Sequence, residues 1–271
     1  MKPVVYFRVI DKDPEELDAC IRNLDTYLFR TEIPPGCLVI PRYTVLPFPE
    51  ELSRDLFNLG CVPINTTEMH KYVADIRNYL PDIEDLTPKT WTNWSNLPTD
   101  KSFVLKGTTN SRKFEWNKRM FAQSWRDVCR VANSLLDDAL INDQGLVVRE
   151  YVPLKKLGEG INGLPITNEW RVFILDGKVL DAGFYWANEA DSAPQKNIPA
   201  QALELAYHAA DRVGDKIRFY VVDVAETAAG DWIVIELNDG CMSGLSTIDP
   251  EGFYYKLSDR LQPGKIFRGE F

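Results

Sequence analysis

The residues best suited to chemistry lie late in the chain. Val222-Asp223 stands in one apolar β segment, and beyond a turn around Gly230 the run Ile233-Val234-Ile235-Glu236-Leu237-Asn238 forms the next. A carboxylate inside an otherwise apolar strand is costly to bury unless it is paired or holds a cation. Asp223, Glu236 and Asn238 all carry oxygen ligands, and Glu236 and Asn238, two apart in a strand, point to the same face. Three hard oxygens converging from neighbouring strands suit magnesium, with water and phosphate oxygens completing its shell. Taken alone, the two carboxylates are explained equally well by ion pairs with nearby Arg or Lys.

Cations supply the opposite charge. Lys106 ends the apolar run Phe103-Val104-Leu105-Lys106-Gly107, while Arg149 and Arg171 interrupt Leu146-Val147-Val148-Arg149 and Trp170-Arg171-Val172-Phe173. An arginine in such a strand must find an anion, and its planar fork suits a phosphate or a carboxylate. Each alone is more readily explained as structural. Together with the carboxylates they meet the need of a phosphate-plus-metal site for both signs of charge at close quarters. The polar stretch Gly107-Thr108-Thr109-Asn110-Ser111-Arg112-Lys113 reads either as a mobile loop over phosphates, offering backbone N–H groups, hydroxyls and two cations, or as a plain solvated loop. It lacks the second glycine and the Lys-Ser/Thr pair of a Walker loop.

What is missing narrows the chemistry further. With only His70 and His208, histidine-rich metal sites are excluded and a Ser-His-Asp mechanism is poorly supplied. No GxGxxG fingerprint marks a dinucleotide site. The five cysteines, Cys20, Cys37, Cys61, Cys129 and Cys241, include no CxxC pair, which fits reduced thiols in a cytoplasmic protein. A net charge of −9 disfavours nucleic acid as a partner. No apolar run approaches the roughly 20 residues of a membrane helix, and the N-terminus reads as a strand, so no membrane is expected.

The elements that must position these residues are legible in outline. Strand, helix, strand, helix recurs over the first part: a strand Val4–Ile10, a helix started by Asp13, Pro14 and Glu16 with Leu17, Ile21, Leu24 and Leu28 as its buried face, a strand Cys37–Ile40, a helix with Leu52, Leu56 and Leu59 stopped at Gly60, a strand Cys61–Ile64, and a helical run Thr67–Tyr79. That rhythm predicts a parallel sheet with helices packed on it. Leu80–Thr99, rich in Pro, Asp, Asn and Thr, reads as a linker in which Trp91 and Trp94 pack on the first unit or cap a cleft. A strand Ser102–Lys106, a helix marked by Phe121, Trp125, Val128, Val131 and Leu135, and a strand Gly145–Val152 form a small second unit. The rest is mostly strand: a hairpin Glu169–Leu175 and Lys178–Trp186 around Asp176-Gly177, a helix with Leu203, Ala206, Ala210 and Val213, then Phe219–Val224 and Trp232–Leu237.

Taken in order, these pieces resemble the ATP-grasp superfamily. The resemblance rests on the lysine strand ending at Lys106, the hinge strand Val148-Arg149-Glu150-Tyr151-Val152, the Glu169-Trp170-Arg171 hairpin, and the Asp223 to Glu236-Leu237-Asn238 pair. It is strong over residues 100 to 245 and architectural before them. Among ATP-grasp proteins the chain is similar to the subgroup named for two conserved arginines and a lysine, matched here by Arg149, Arg171 and Lys106.

The resemblance implies an α/β fold with an N-terminal α/β domain over residues 1–88, a lid subdomain over 89–152 and a mostly antiparallel core subdomain over 153–271. It further implies ATP and Mg2+ as cofactors, with Lys106 on the phosphates, Glu150 to Val152 as the adenine hinge read by the backbone of Tyr151 and Val152, and Arg171 on the γ-phosphate or acyl phosphate. Asp223, Glu236 and Asn238 would hold the metal. The implied activity is ligation of a carboxylate to an amine, on a small-molecule or peptide substrate, with ADP and phosphate released. Two alternatives share the site, a kinase acting on a hydroxyl and a nucleotide-binding module without catalysis. The N-terminal part and the segments 154 to 168 and 187 to 199 are expected to shape the substrate pocket, and Asp239 to Gly244 to line it.

Overall fold

The computed structural model describes residues 1–8, 14–160, 164–187 and 193–262. Its first unit is a parallel sheet in the order β2-β1-β3-β4, formed by β1 (Lys2–Phe7), β2 (Asp25–Tyr27), β3 (Cys37–Arg42) and β4 (Val62–Pro63). Helix α1 (Pro14–Asn23) buries Leu17 but leaves Ile21 exposed, and it ends at Asn23, where the chain turns at once into β2, a strand too short and polar to register as periodicity. Asp13, the expected cap of α1, lies outside the described residues. Helix α2 (Pro49–Asn58) buries Leu52 and Leu56 and ends at Gly60, whose φ of 67 is the left-handed turn that favours glycine there.

The single helical run expected over Thr67–Tyr79 is two helices, α3 (Thr67–Ala74) and α4 (Ile76–Ile83). Asp75 breaks it by adopting extended backbone and accepting from Arg77 N–H, so that it caps the second helix. Val73, Ile76, Tyr79 and Ile83 nevertheless share one core, which is why the apolar spacing runs on across the break.

The expected linker, Leu80–Thr99, is largely turn and loop, but it is not featureless. It contains the end of α4 and β5 (Thr90–Trp91), which pairs with β8 (Leu146–Glu150), and β8 pairs in turn with β6 (Phe103–Gly107) beside β7 (Phe121–Ala122). This antiparallel sheet, with α5 (Trp125–Leu136), encloses a core of Phe103, Leu105, Val128, Val131 and Val148. Trp91 and Trp94 pack on that core. A small hairpin, β9 (Lys156–Glu159) and β10 (Pro165–Thr167), follows.

The largest sheet is antiparallel throughout, in the order β12-β11-β13-β14, from β11 (Glu169–Leu175), β12 (Lys178–Phe184), β13 (Phe219–Glu226) and β14 (Trp232–Asp239). Asp176 and Gly177, with φ of 49 and 72, form the tight turn between β11 and β12. Strand alternation gives this sheet two different faces. Trp170, Val172, Ile174, Tyr220, Val222 and Val224 bury against α3, α4 and α6 (Ala200–Val213). On the other face Phe173, Leu175, Phe219 and Val221 bury against the first unit and α7 (Pro250–Leu261). Further along that second face the alternation delivers Glu169, Arg171 and Asp223, and there the sheet meets a cleft instead of a core.

Candidate active site

Strand register brings the chemistry together. Arg171 on β11 lies opposite Asp223 on β13, and Asp223 lies opposite Glu236 on β14, so three charged residues form one row across three strands. A bulge between Asp223 and Val224 lies within the row, and such bulges re-aim side chains next to functional sites. Asp223 is fully buried and takes both arms of the Arg171 fork, Nε and Nη2 each donating at 2.9 Å. Asn238 Nδ2 donates to the same carboxylate at 3.0 Å, and Arg171 Nη1 donates at 3.0 Å to the carbonyl of Gly244. Burial works against the Arg171 charge, but Asp223 outweighs it and raises the guanidinium pKa above its ordinary value.

Glu236 is held differently. Lys106, at the inner end of β6, donates to Glu236 Oε2 at 2.6 Å, and Lys113 Nζ stands 3.9 Å from Oε1. Burial pushes the Glu236 carboxyl up, yet the two lysines overcome it and hold it well below the usual carboxylate range. Lys113 also lies 3.8 Å from Glu169 Oε1, donates to Tyr185 Oη at 2.8 Å, and sits over the Tyr185 ring at 4.3 Å.

Arg149 departs from its expected role as an anion ligand. Its Nη1 donates to the Ile235 carbonyl at 2.7 Å, and Nη2 and Nε donate to the hydroxyls of Thr87 and Thr90. It ties the β5-β8-β6-β7 sheet, which stands where the lid was expected and is called the lid sheet below, to β14, next to the segment before β5, which crosses to β14 where Thr87 Oγ1 donates to the Val234 carbonyl at 2.7 Å. Burial lowers its pKa, with Tyr79 and Glu236 acting in the other direction.

Between the lid sheet and the large sheet runs a cleft of about 200 Å3, walled by Val104, Met120, Leu164, Ile233 and Ile235, with Lys106, Lys113, Glu169 and Glu236 among its lining. The segment Glu150-Tyr151-Val152 forms one edge. The N–H of Tyr151 is spent on the Ser102 carbonyl at 2.9 Å, and Glu150 pairs with Lys101, whereas the N–H of Val152 makes no hydrogen bond among the described residues. An edge-reading role is thus open to the Val152 N–H and closed to that of Tyr151.

A second, wider cavity of about 790 Å3 lies beyond Arg171, lined by Phe7, Arg42 and Tyr43 of the first unit and by Cys241 to Pro250. Segment 154 to 168, expected at the substrate pocket, instead lines the first cleft through Leu154, Lys156, Leu164, Pro165 and Thr167. Ala187 reaches the second cavity, while 161–163 and 188–192 lie outside the described residues.

Three features escape a reading of the sequence. Glu169 is buried, with Oε1 lacking a hydrogen-bond partner among the described residues, and burial, together with Asp223 and Glu236 and against Lys113, pushes its pKa up to about 7. Its position two residues before Arg171, on the same strand face, was the available signal. Trp186 lines the cleft with its indole N–H buried and unpartnered among the described residues. His70 bonds through Nδ1 to Asp239, which also accepts from Asn65 at 3.2 Å and from Cys241 N–H at 2.9 Å, fixing the end of β14 just past Asn238. Nothing local in the sequence links residues so far apart.

A mixed-charge cleft between an antiparallel lid sheet and an antiparallel core sheet is the ATP-grasp arrangement, and the family comparison agrees. Residues 93–257 match the model described as the ATP-grasp domain, R2K clade family 3, so the chain belongs to that family. No curated protein matches the chain.

Among solved structures it is similar to the D-cycloserine synthetase DcsG, at 14% identity with 96% of this chain and 100% of that chain covered and a TM-score of 0.62. It is also similar to D-alanine–D-alanine ligase from Bacillus anthracis, at 15% identity, 96% and 95% coverage and a TM-score of 0.59. The ATP-grasp ligase PsnB, complexed with precursor peptide PsnA2 and AMPPNP, matches at 12% identity, 96% and 95% coverage and a TM-score of 0.54. At these identities the likeness concerns the fold. Among the described residues no helix is long and apolar enough to cross a membrane.

Proposed function

We propose that the chain is an ATP- and magnesium-dependent ligase that joins a carboxylate to an amine through an acyl phosphate. The observation that carries this reading is the position of Arg171, whose guanidinium bonds Asp223 on one side and the Gly244 carbonyl, at the wall of the second cavity, on the other. A phosphoryl group delivered along the cleft would meet a carboxylate from the second cavity at this arginine. The apolar walls Val104, Ile233 and Ile235 suit a flat base, and the cations Lys106 and Lys113 suit a polyphosphate.

Asp223, Glu236 and Asn238 offer the hard oxygen donors that magnesium takes. Among the described residues no three His, Cys, Asp or Glu side chains cluster closely enough to hold a metal, so the ion would have to draw much of its coordination from phosphate and water. When bound, the ion would neutralise charge on the transferring phosphoryl group. In the reaction a carboxylate oxygen takes the γ-phosphoryl group and ADP leaves. The amine then attacks the carbonyl carbon, the C–O bond to phosphate breaks, and the amine proton passes to a base. The protein's share is positioning and charge stabilisation. Structural neighbours named as ligases include D-alanine–D-alanine ligase and PsnB complexed with a precursor peptide, and small molecules and peptides are both substrate classes for the test.

The test is phosphate release from MgATP across panels of amino acids and peptides, with hydroxylamine as a substitute amine. A ligase releases phosphate only with an acid and an amine together and gives a hydroxamate with hydroxylamine. A phosphorylated hydroxyl product without free phosphate would identify a kinase instead, and nucleotide binding without any turnover a binding module.

A further inference from the structure

The loop between β6 and α5 carries no glycine-rich cradle, and its backbone is turned away from the cleft. Thr108 N–H donates to the Gly145 carbonyl at 2.8 Å, and the N–H groups of Thr109 and Asn110 both donate to Gln144 Oε1 at 3.2 Å. Gly107 permits this clamp, since a Cβ there would stand 2.6 Å from Gln144 Oε1. The far part of the loop is fastened to the same connection between α5 and β8. Arg112 donates from Nε to Asp138 Oδ2 at 2.7 Å and from Nη2 to Oδ1, and Arg119 Nη1 donates to Oδ2 at 2.7 Å. Arg112 is followed by a 3-10 turn, Lys113–Glu115, and by a π-helical turn, Trp116–Met120, that contains Arg119, and such π turns are frequent at functional sites.

What the clamped loop presents to the cleft is a side chain. Lys113 follows Arg112 directly, and of its three ammonium donors one goes to Tyr185 Oη. Glu169 and Glu236 stand 3.8 Å and 3.9 Å away, too far for hydrogen bonds, so two donors remain for anionic oxygens entering the cleft. Lys106 approaches the other oxygen of Glu236 from the opposite side. The two lysines bracket the glutamate.

We propose that Lys113 is a second phosphate-binding cation of the cleft, taking the place of a backbone cradle, and that Asp138 is the positioning residue that fixes it through Arg112 and Arg119. This rests on the nucleotide reading of the cleft given above. Lys113 acts on the polyphosphate and not on the base, so it sets the preference for a triphosphate over a nucleoside.

The experiment is calorimetric titration of the full chain with MgATP and with adenosine, for wild type, Lys113→Met, Lys113→Arg, Asp138→Asn and the Lys113→Met/Asp138→Asn double variant. Lys113→Met is expected to weaken MgATP about 10- to 100-fold, the range for losing a hydrogen bond to a charged group, and to leave adenosine unchanged. Lys113→Arg should keep most of the MgATP affinity. Asp138→Asn, altered at a turn outside the cleft, should weaken MgATP by a smaller factor and add nothing in the double variant, because residues acting through one contact are not additive. Equal weakening of adenosine, or unchanged MgATP affinity in Lys113→Met, overturns the phosphate assignment. Additive losses in the double variant overturn the positioning role. A wild-type chain that binds neither ligand overturns the nucleotide reading itself.

Discussion

At one end of the charged row a carboxylate is gripped by an arginine, and at the other by lysines. Asp223 takes a two-armed fork from Arg171, a third donor from Asn238, and has no exposure. Glu236 is held by Lys106 and approached by Lys113, both point charges on flexible stems. The fork is planar and pre-organised, and a carboxylate that fills it has little freedom. A lysine can transfer its ammonium to another anion by rotating its stem. The Arg171 end is therefore fixed architecture beside the Gly244 wall of the second cavity, and the lysine end is where charge would be redistributed on the proposed entry of a polyphosphate.

Asp223→Asn tests the fixed end and has the largest expected effect. It leaves the Arg171 guanidinium buried without its counter-charge, which should cost about 3–5 kcal/mol of stability in denaturant unfolding. An unchanged unfolding midpoint would mean that Arg171 finds another anion and that this end is not fixed. Glu236→Gln tests the other end. Lys106 and Lys113 can turn toward cleft water or Glu169, so the fold should hold while turnover falls about 100-fold or more. Near-normal turnover in a folded Glu236→Gln chain would remove it from the metal site, and destabilisation equal to that of Asp223→Asn would erase the distinction between the ends.

Much of this row was legible because strand alternation is a strong local signal. Glu236 and Asn238 share a face by spacing alone, and Asp223, Arg171 and Lys106 stand out as charges in apolar strands. What spacing cannot carry is the partner. Arg149 and Arg171 look alike in sequence, each one charge in an apolar β segment, yet one meets a carboxylate and the other a carbonyl and two hydroxyls from the crossing segment. The same limit hid β5, whose two residues acquire strand character only by pairing with β8, and the break at Asp75, where capping by one side chain interrupts a helical pattern that the core keeps in phase. The loop after Lys106 was correctly seen as polar, but its amides are used by Gln144, which comes more than thirty residues later.

Glu169 sharpens the comparison from the middle of the cleft, close to Lys113 and in the field of both other carboxylates. Its folded pKa of about 7 lies above the ordinary 4.5, so the protein binds this proton more tightly folded than unfolded. The stability it contributes is present below about pH 4.5 and is lost as pH rises through about 7, with about 2–3 kcal/mol of it lost between pH 5 and pH 8. Relative to wild type, Glu169→Gln should therefore gain stability on going from pH 5 to pH 8 in urea unfolding. A difference that does not change with pH would mean that Lys113 already holds Glu169 ionised, extending the lysine-held end to a second carboxylate.

Arg149→Lys is expected to have the smallest effect and decides whether Arg149 joins the cations proposed to meet phosphate. Lysine retains the charge but cannot reach Ile235 O, Thr87 and Thr90 at once, so about 1–2 kcal/mol of stability should be lost with the hydrogen bonds that join the lid sheet to β14. Turnover of the folded variant should change only a few-fold, because the donors that are lost point at protein oxygens. Nucleotide affinity, measured in parallel, should follow any loosening of the lid and fall for adenosine and MgATP alike. A loss confined to MgATP, or a turnover drop of about 100-fold at unchanged stability, would place Arg149 on the phosphates. The row would then have arginines at both ends, and the contrast between a fixed end and a movable one would fail.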